Sequence, residues 1–257
     1  MRRRLLAAGL EITVPLAVLM IWGLLSAGSE TYYFPPLTSI FSKFADIWLF
    51  ERFWSDAVPS LVRMGLGYGI AIVVAISAGV ALGMSRRARL AASPIIEFLR
   101  AIPPPAMLPL AMLVLGIGDL MKVFLIAFVC LWPILLNTID GVTGVDPTLR
   151  ETTRVYRASR MDRIRLVVMP AAAPQIFAGM RTSLSLALIL MVISEMRAST
   201  NGIGFFVLQA QRSFKVVDMW SGIFLLGILG YSLNAGFVLI ERWVLRWHRG
   251  ARESALS

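Results

Sequence analysis

Six stretches of this chain are close to 20 residues long, overwhelmingly apolar and nearly free of charge: 10–27, 61–84, 93–115, 120–139, 172–194 and 219–240. A helix needs about 20 apolar residues to cross a hydrocarbon layer of about 30 Å. A helix is also one of the two structures that satisfy every backbone N–H and C=O inside lipid. The expected fold is therefore all-α: a polytopic membrane protein with about six transmembrane helices, forming a single transmembrane domain over 1–257. Composition agrees. The chain is 58% hydrophobic and 16% charged, against about one-quarter charged in soluble domains, so its excess apolar surface must face lipid. The first stretch follows Met1-Arg2-Arg3-Arg4 and resembles a signal peptide. The uncharged run 12–28 is long enough to span and lacks a convincing A-x-A cleavage site, so it is expected to be a retained span.

Basic residues orient the spans. With the N-terminus in the cytoplasm, sixteen fall inside: Arg2, Arg3, Arg4, Arg86, Arg87, Arg89, the six arginines from Arg150 to Arg165, and Arg242, Arg246, Arg249 and Arg252. Six fall outside: Lys43, Arg52, Lys122, Arg197, Arg212 and Lys215. That asymmetry places both termini in the cytoplasm. It also accounts for the net charge of +10 without nucleic acid, since no basic stretch interleaves exposed aromatics. Cys130 is the only cysteine and His248 the only histidine, which excludes an internal disulfide and a cysteine metal cluster. Cys130 is expected to be a buried small hydrophobe.

Several segments carry finer information. Leu37, Ile40, Phe41, Phe44, Ile47 and Trp48 form a helical stripe. That helix either lies on the outer membrane surface or packs on the span ends. Ala71, Ala75, Gly79 and Gly83 recur every fourth residue, a smooth ridge for close helix approach. The third span holds Pro94, Pro103, Pro104, Pro105 and Pro109. A straight helix through Pro103-Pro104-Pro105 would lose several hydrogen bonds, and broken backbone is tolerated in a membrane only against protein or a wet cavity. The segment is thus expected either to face the protein interior as a kinked span, making these prolines pathway candidates, or to be a short helix over 93–100 and another starting after Pro105. Arg181, near the cytoplasmic end of the fifth span, is expected to snorkel and is a further pathway candidate. Glu195 is either an outer gate or partner contact, or a span-end carboxylate paired with Arg197 or solvent.

The loop 141–171 is too polar to span. Asp146-Pro147 is a good helix start, Thr148 and Glu151 would make an alternative capping box, and either way Glu151 is expected in the first turn of a short cytoplasmic helix. The loop resembles the coupling motif of ABC importer permeases, E-A-A-x3-G-x9-I-x-L-P. Glu151 matches the Glu, Thr152 and Thr153 stand at the two Ala, and Val167 to Pro170 fit the end of the motif. Arg157 stands where the motif has Gly, so the first helix is expected to continue, or the turn to shift to Ala158-Ser159. Outside the loop, Glu97 to Pro104, Leu108-Pro109-Leu110, Gly116-Ile117-Gly118, and Ser194-Glu195 followed by Asn201-Gly202-Ile203-Gly204 resemble the nitrate/sulfonate/taurine branch of that family.

The resemblance implies a bacterial inner-membrane importer. Two permease copies would form the pathway for a small anion such as a sulfonate, taurine or nitrate. An ABC ATPase dimer would dock below through Glu151, Thr152, Thr153, Arg157, Ala158, Ser159 and Pro170, and an extracytoplasmic binding protein would deliver substrate. The chain holds no G-x-x-x-x-G-K-[ST] loop, so no cofactor is expected in it; ATP and Mg would belong to the partner ATPase. The competing reading is a proton- or ion-coupled secondary transporter, which would place acidic groups deep in a span. Here Glu97, Asp119, Asp140 and Glu195 all fall at expected span ends. An intramembrane enzyme would need a His, Cys or Asp constellation that the chain lacks.

Overall fold

The computed structural model describes residue 13 and residues 17–26 and 33–246. Among them every regular element is helical. The elements are α1 (Ala17–Ser26), α2 (Leu37–Phe44), α3 (Val58–Met84), α4 (Arg86–Ala101), α5 (Pro104–Leu115), α6 (Asp119–Thr143), α7 (Pro147–Val155), α8 (Arg160–Asp162), α9 (Met169–Arg197), α10 (Ile203–Arg212) and α11 (Val216–Val244). Wider π-helical turns over 45–51 and 53–57 join α2 to α3, and another over 163–168 joins α8 to α9.

Four described helical segments are long and apolar enough to cross a membrane: Phe53–Met84, Asp119–Thr143, Arg160–Arg197 and Val216–Val244. Of the first expected span, residues 10–12, 14–16 and 27 lie outside the described residues, and the rest are Thr13 and α1. The third is two helices, α4 and α5, bent by 93° at 102–103. Proline chemistry explains the break. Pro104 and Pro105 open α5, where the first N–H groups have no helical partner in any case. Ile102 and Pro103 are extended, as a residue before proline prefers. The expectation that this segment faces the interior fails within one chain. Only Leu108 and Ala111 are buried along α5, and no residue is buried along α4.

The centre of the fold is α6, packed between α3 and α9. Its buried positions, including Leu125, Ile126, Val129, Cys130, Ile134 and Thr138, fall on neighbouring i, i+4 rows, so two faces are covered. Lipid tails are as apolar as leucine, so close contact drives such packing. The small-residue ridge supplies it: a Cβ on Gly79 would lie 2.6 Å from Thr138 Cβ, and one on Gly83 2.7 Å from Val142 Cβ. Cys130 is a buried small residue whose Sγ donates to the Ser183 carbonyl at 3.3 Å. The stripe from Leu37 to Trp48 packs on helices. Ile40 and Trp48 are buried, Phe41 meets Phe224 edge-on, and the Trp48 indole N–H donates to Ser221 of α11 at 3.3 Å.

Candidate functional site

The polar loop between α6 and α9 folds into the compact helix α7 and a tight turn. Asp146 Oδ1 accepts the Thr148 N–H at 2.8 Å, so Asp146 is the cap and the Thr148–Glu151 box is not used. With Pro147 as the first helical residue, Glu151 is the fifth. It sits one turn in, exposed, rather than in the first turn, so it does not cap the helix. Thr152 is exposed beside it and its hydroxyl bonds back to the Thr148 carbonyl at 2.8 Å. Thr153 is half-buried, and its carbonyl accepts from the Ala158 N–H at 3.0 Å. The side chains of Arg150 and Arg154 lie outside the described part.

The turn is neither delayed nor shifted by Arg157. α7 ends at Val155, and Arg157 itself takes the left-handed conformation, with φ +50°. The Ala158 bond to Thr153 then closes the last helical turn across Arg157, the arrangement for which glycine is usual. The chain thus keeps the glycine backbone at a non-glycine residue, at a cost of about 1–2 kcal/mol. Ser159 caps the next short helix: its Oγ accepts the Asp162 N–H at 3.1 Å. Pro170 is the second residue of α9, half-buried. The exposed surface of α7 and its turn mixes charge with apolar groups, for Leu149, Val155 and Tyr156 are all exposed.

At the far end of α9 lies a charge cluster that is buried except for the exposed Asp119. Arg63 is the sixth residue of α3 and 5% exposed. Its Nη1 donates to Glu195 Oε1 at 3.0 Å, its Nε to Asp119 Oδ1 at 2.7 Å and its Nη2 to Asn201 Oδ1 at 2.6 Å. Lys122, also buried, donates to Asp119 Oδ1 at 3.3 Å and to Ser199 Oγ at 2.8 Å. Glu195 therefore pairs with Arg63, not with Arg197 or solvent. The cluster also seats the start of α10. The Gly202 N–H donates to Asp56 Oδ1 at 2.7 Å, Ile203 N–H to Ser60 Oγ at 3.0 Å, and Gly204 N–H to Glu195 Oε2 at 3.0 Å. Two carboxylates and a hydroxyl thus satisfy donors that a helix start leaves open and complement its positive end. Gly202 is required here: its φ is +116°, and a Cβ would stand 2.5 Å from the Glu195 carboxyl carbon.

Sequence reasoning singled out Glu195 but missed its partners. Arg63 is the only charge in 61–84, and a lone charge in a span needs a partner. That signal was available; the identity of the partners was not.

The remaining candidates stand apart. Pro103 to Pro105 form the α4–α5 break, beside a groove of about 410 Å³ lined by Arg100, Ile102, Pro104, Phe128 and Trp132 among others. Arg181 is the thirteenth residue of α9's 29. It is exposed, and its Nε donates to Asn234 Oδ1 of α11 at 3.2 Å. A cation facing lipid at the centre of a membrane would cost at least about 2.5–3.5 kcal/mol.

Comparison with known proteins follows the same lines. Residues 67–249 match the family described as binding-protein-dependent transport system inner membrane component. The chain is 31% identical over 252 residues to the bicarbonate transport system permease protein CmpB of Synechococcus elongatus, covering 91% of this chain and 90% of that one. It is 29% identical over 221 residues to the taurine transport system permease protein TauC of Escherichia coli, covering 84% of this chain and 80% of that one. The fold is similar to a chain of the inward-facing MetNI methionine ABC transporter, with TM-score 0.63 and 21% identity over 72% of this chain and 93% of that one.

Proposed function

Because this chain belongs to the family of binding-protein-dependent transport system inner membrane components and is the permease subunit of an ABC importer, we propose how it is assembled and what it carries. Two copies enclose the path in the bacterial plasma (inner) membrane, both termini lie in the cytoplasm, and a binding protein delivers substrate from outside. The substrate is a small anion such as a sulfonate, taurine, nitrate or bicarbonate. α7 and its turn dock on a separate ATPase, which holds ATP and Mg. One observation carries the docking assignment. α7 is a short helix joining two long spans, its exposed surface offers Glu151 together with Leu149, Val155 and Tyr156, and it coincides with the motif by which the family couples to its ATPase.

Replacing Glu151 tests it. Glu151 does not cap α7, so Glu151→Ala removes no helix-start bond, and alanine is the better helix former. The variant is expected to reach the membrane in normal amount, lose ATPase co-purification and lose most transport. Losing a charge-assisted interface contact costs about 2–5 kcal/mol when the partner charge stays buried. Glu151→Gln keeps the shape and drops the charge, so it is expected to recover little. Normal co-purification and transport by Glu151→Ala would remove the coupling role of this residue. Reporters fused after Arg52 and after Arg160 are expected to read outside and inside; the opposite signals would invert the orientation.

A further inference from the structure

Between α6 and α11, α9 leaves one face uncovered. Gln175, Ala178, Arg181, Thr182 and Ser185 are all exposed on it, at helical spacings of three and four that place them together. α9 has 29 residues, about 43 Å at 1.5 Å per residue, which puts Arg181 within about 3 Å of its midpoint. That is well inside a hydrocarbon layer of about 30 Å. An amide, a guanidinium and two hydroxyls in one row are a poor surface for lipid. The flanking helices extend the polarity. Gln175 Nε2 donates to Asn137 Oδ1 of α6 at 2.9 Å, and Arg181 Nε to Asn234 Oδ1 of α11 at 3.2 Å. Among the described residues no carboxylate forms an ion pair with Arg181. Asn234 takes one of its five donors and leaves the planar fork available. A cavity of about 290 Å³ opens next to it, lined by Ser185, Leu188, Leu233 and Asn234 among others.

We propose that Arg181 is the fixed cation that selects for anions in the translocation path, and that Gln175, Thr182 and Ser185 line the same wet wall. The assignment rests on the reading of the chain as an importer of a small anion. The ligand class follows from the donor geometry: a head group presenting two oxygens to a planar fork, as sulfonates, nitrate and bicarbonate do. The charge attracts any small anion; the fork favours these.

The test uses the full chain in its native membrane, where the one cysteine of the parent, Cys130, is buried. Ser185→Cys introduces a reporter one turn from Arg181. Its labelling rates are measured with an anionic methanethiosulfonate (sulfonatoethyl) and a cationic one (trimethylammonioethyl), each divided by the reagent's rate with a small thiol in solution. Taking the ratio cancels any change in the thiol's own reactivity. The ratio is expected to favour the anionic reagent about tenfold, to fall to about one when Arg181→Gln is added, and to persist with Arg181→Lys. No labelling by either reagent, while a cysteine at the exposed Ser55 reacts, would place the face in lipid or a sealed contact and overturn the proposal. A ratio unchanged by Arg181→Gln would also overturn it. Uptake of labelled taurine, ethanesulfonate, nitrate and bicarbonate by the same cells reports separately. No uptake of any of them with the charge preference intact would defeat the substrate reading and leave the role of Arg181 standing.

Discussion

Removing the Glu195 carboxylate strikes the point where four helices are tied together. In Glu195→Ala three donors lose an acceptor: Ser60 Oγ at 2.7 Å, Arg63 Nη1 at 3.0 Å and the Gly204 N–H at 3.0 Å. Breaking a buried ion pair from one side costs about 3–5 kcal/mol. Arg63 retains Asp119 and Asn201, and Ser60 retains the Asp56 carbonyl at 2.9 Å, which holds this contribution at the low end, about 3 kcal/mol. The Gly204 N–H is left without an acceptor, adding about 1 kcal/mol or more. The expected loss is about 4 kcal/mol. At about 2–4 °C per kcal/mol for a chain of this size, the melting temperature of the purified protein in detergent should fall by about 8–16 °C. Arg63→Met should cost a comparable amount. The double variant should cost clearly less than their sum, because neither charge is then stranded. A Glu195→Ala loss below about 1 kcal/mol, or strict additivity of the pair, would refute the account of a mutually dependent buried cluster.

Other outcomes follow from the same geometry. Gly202→Ala should destabilise by about 3 kcal/mol or more, from left-handed strain and the clash with Glu195. Gly69→Ala, with nothing within 4 Å of the added carbon, should be neutral or stabilising in the same melting assay; equal losses would remove the steric argument. Arg157→Gly should relieve about 1 kcal/mol of backbone strain and slow proteolysis of the α7–α8 turn, and faster cleavage would contradict it. Gly79→Ala should cost about 1–3 kcal/mol by forcing α3 off Thr138; an unchanged melting point would show that the helices yield there.

Local signals in the chain read correctly where the physics is local. The Ala71–Gly83 ridge is a four-residue period, and a four-residue period on a helix has one meaning for packing. Pro103 to Pro105 marked a break, because missing N–H groups are written in the residue type. The 93° bend was not legible, since extended Ile102 and Pro103 permit many angles and contacts elsewhere choose among them. Arg63 and Glu195 are 132 residues apart. Nothing in either neighbourhood names the other. Arg157 misled for the opposite reason. Its type disfavours the left-handed turn, yet the surrounding hydrogen bonds impose it. Glu151 lies two residues deeper in α7 than a Thr148 cap would place it, because Asp146 takes the role.

The glycine contacts along α3 bear on how such a subunit can move. Where Gly67, Gly79 and Gly83 rest directly on Ile126, Thr138 and Val142, there is no cushion of flexible side chain on which α3 could slide past α6. A slide of one residue, about 1.5 Å along the axis, would drive a methyl-bearing side chain into backbone. Those two helices must therefore travel as a single plate. Any change of shape has to be taken up at its borders, such as the 102–103 bend, beyond which no residue of α4 is buried. A force applied at one end of the plate would thus move the other end with it.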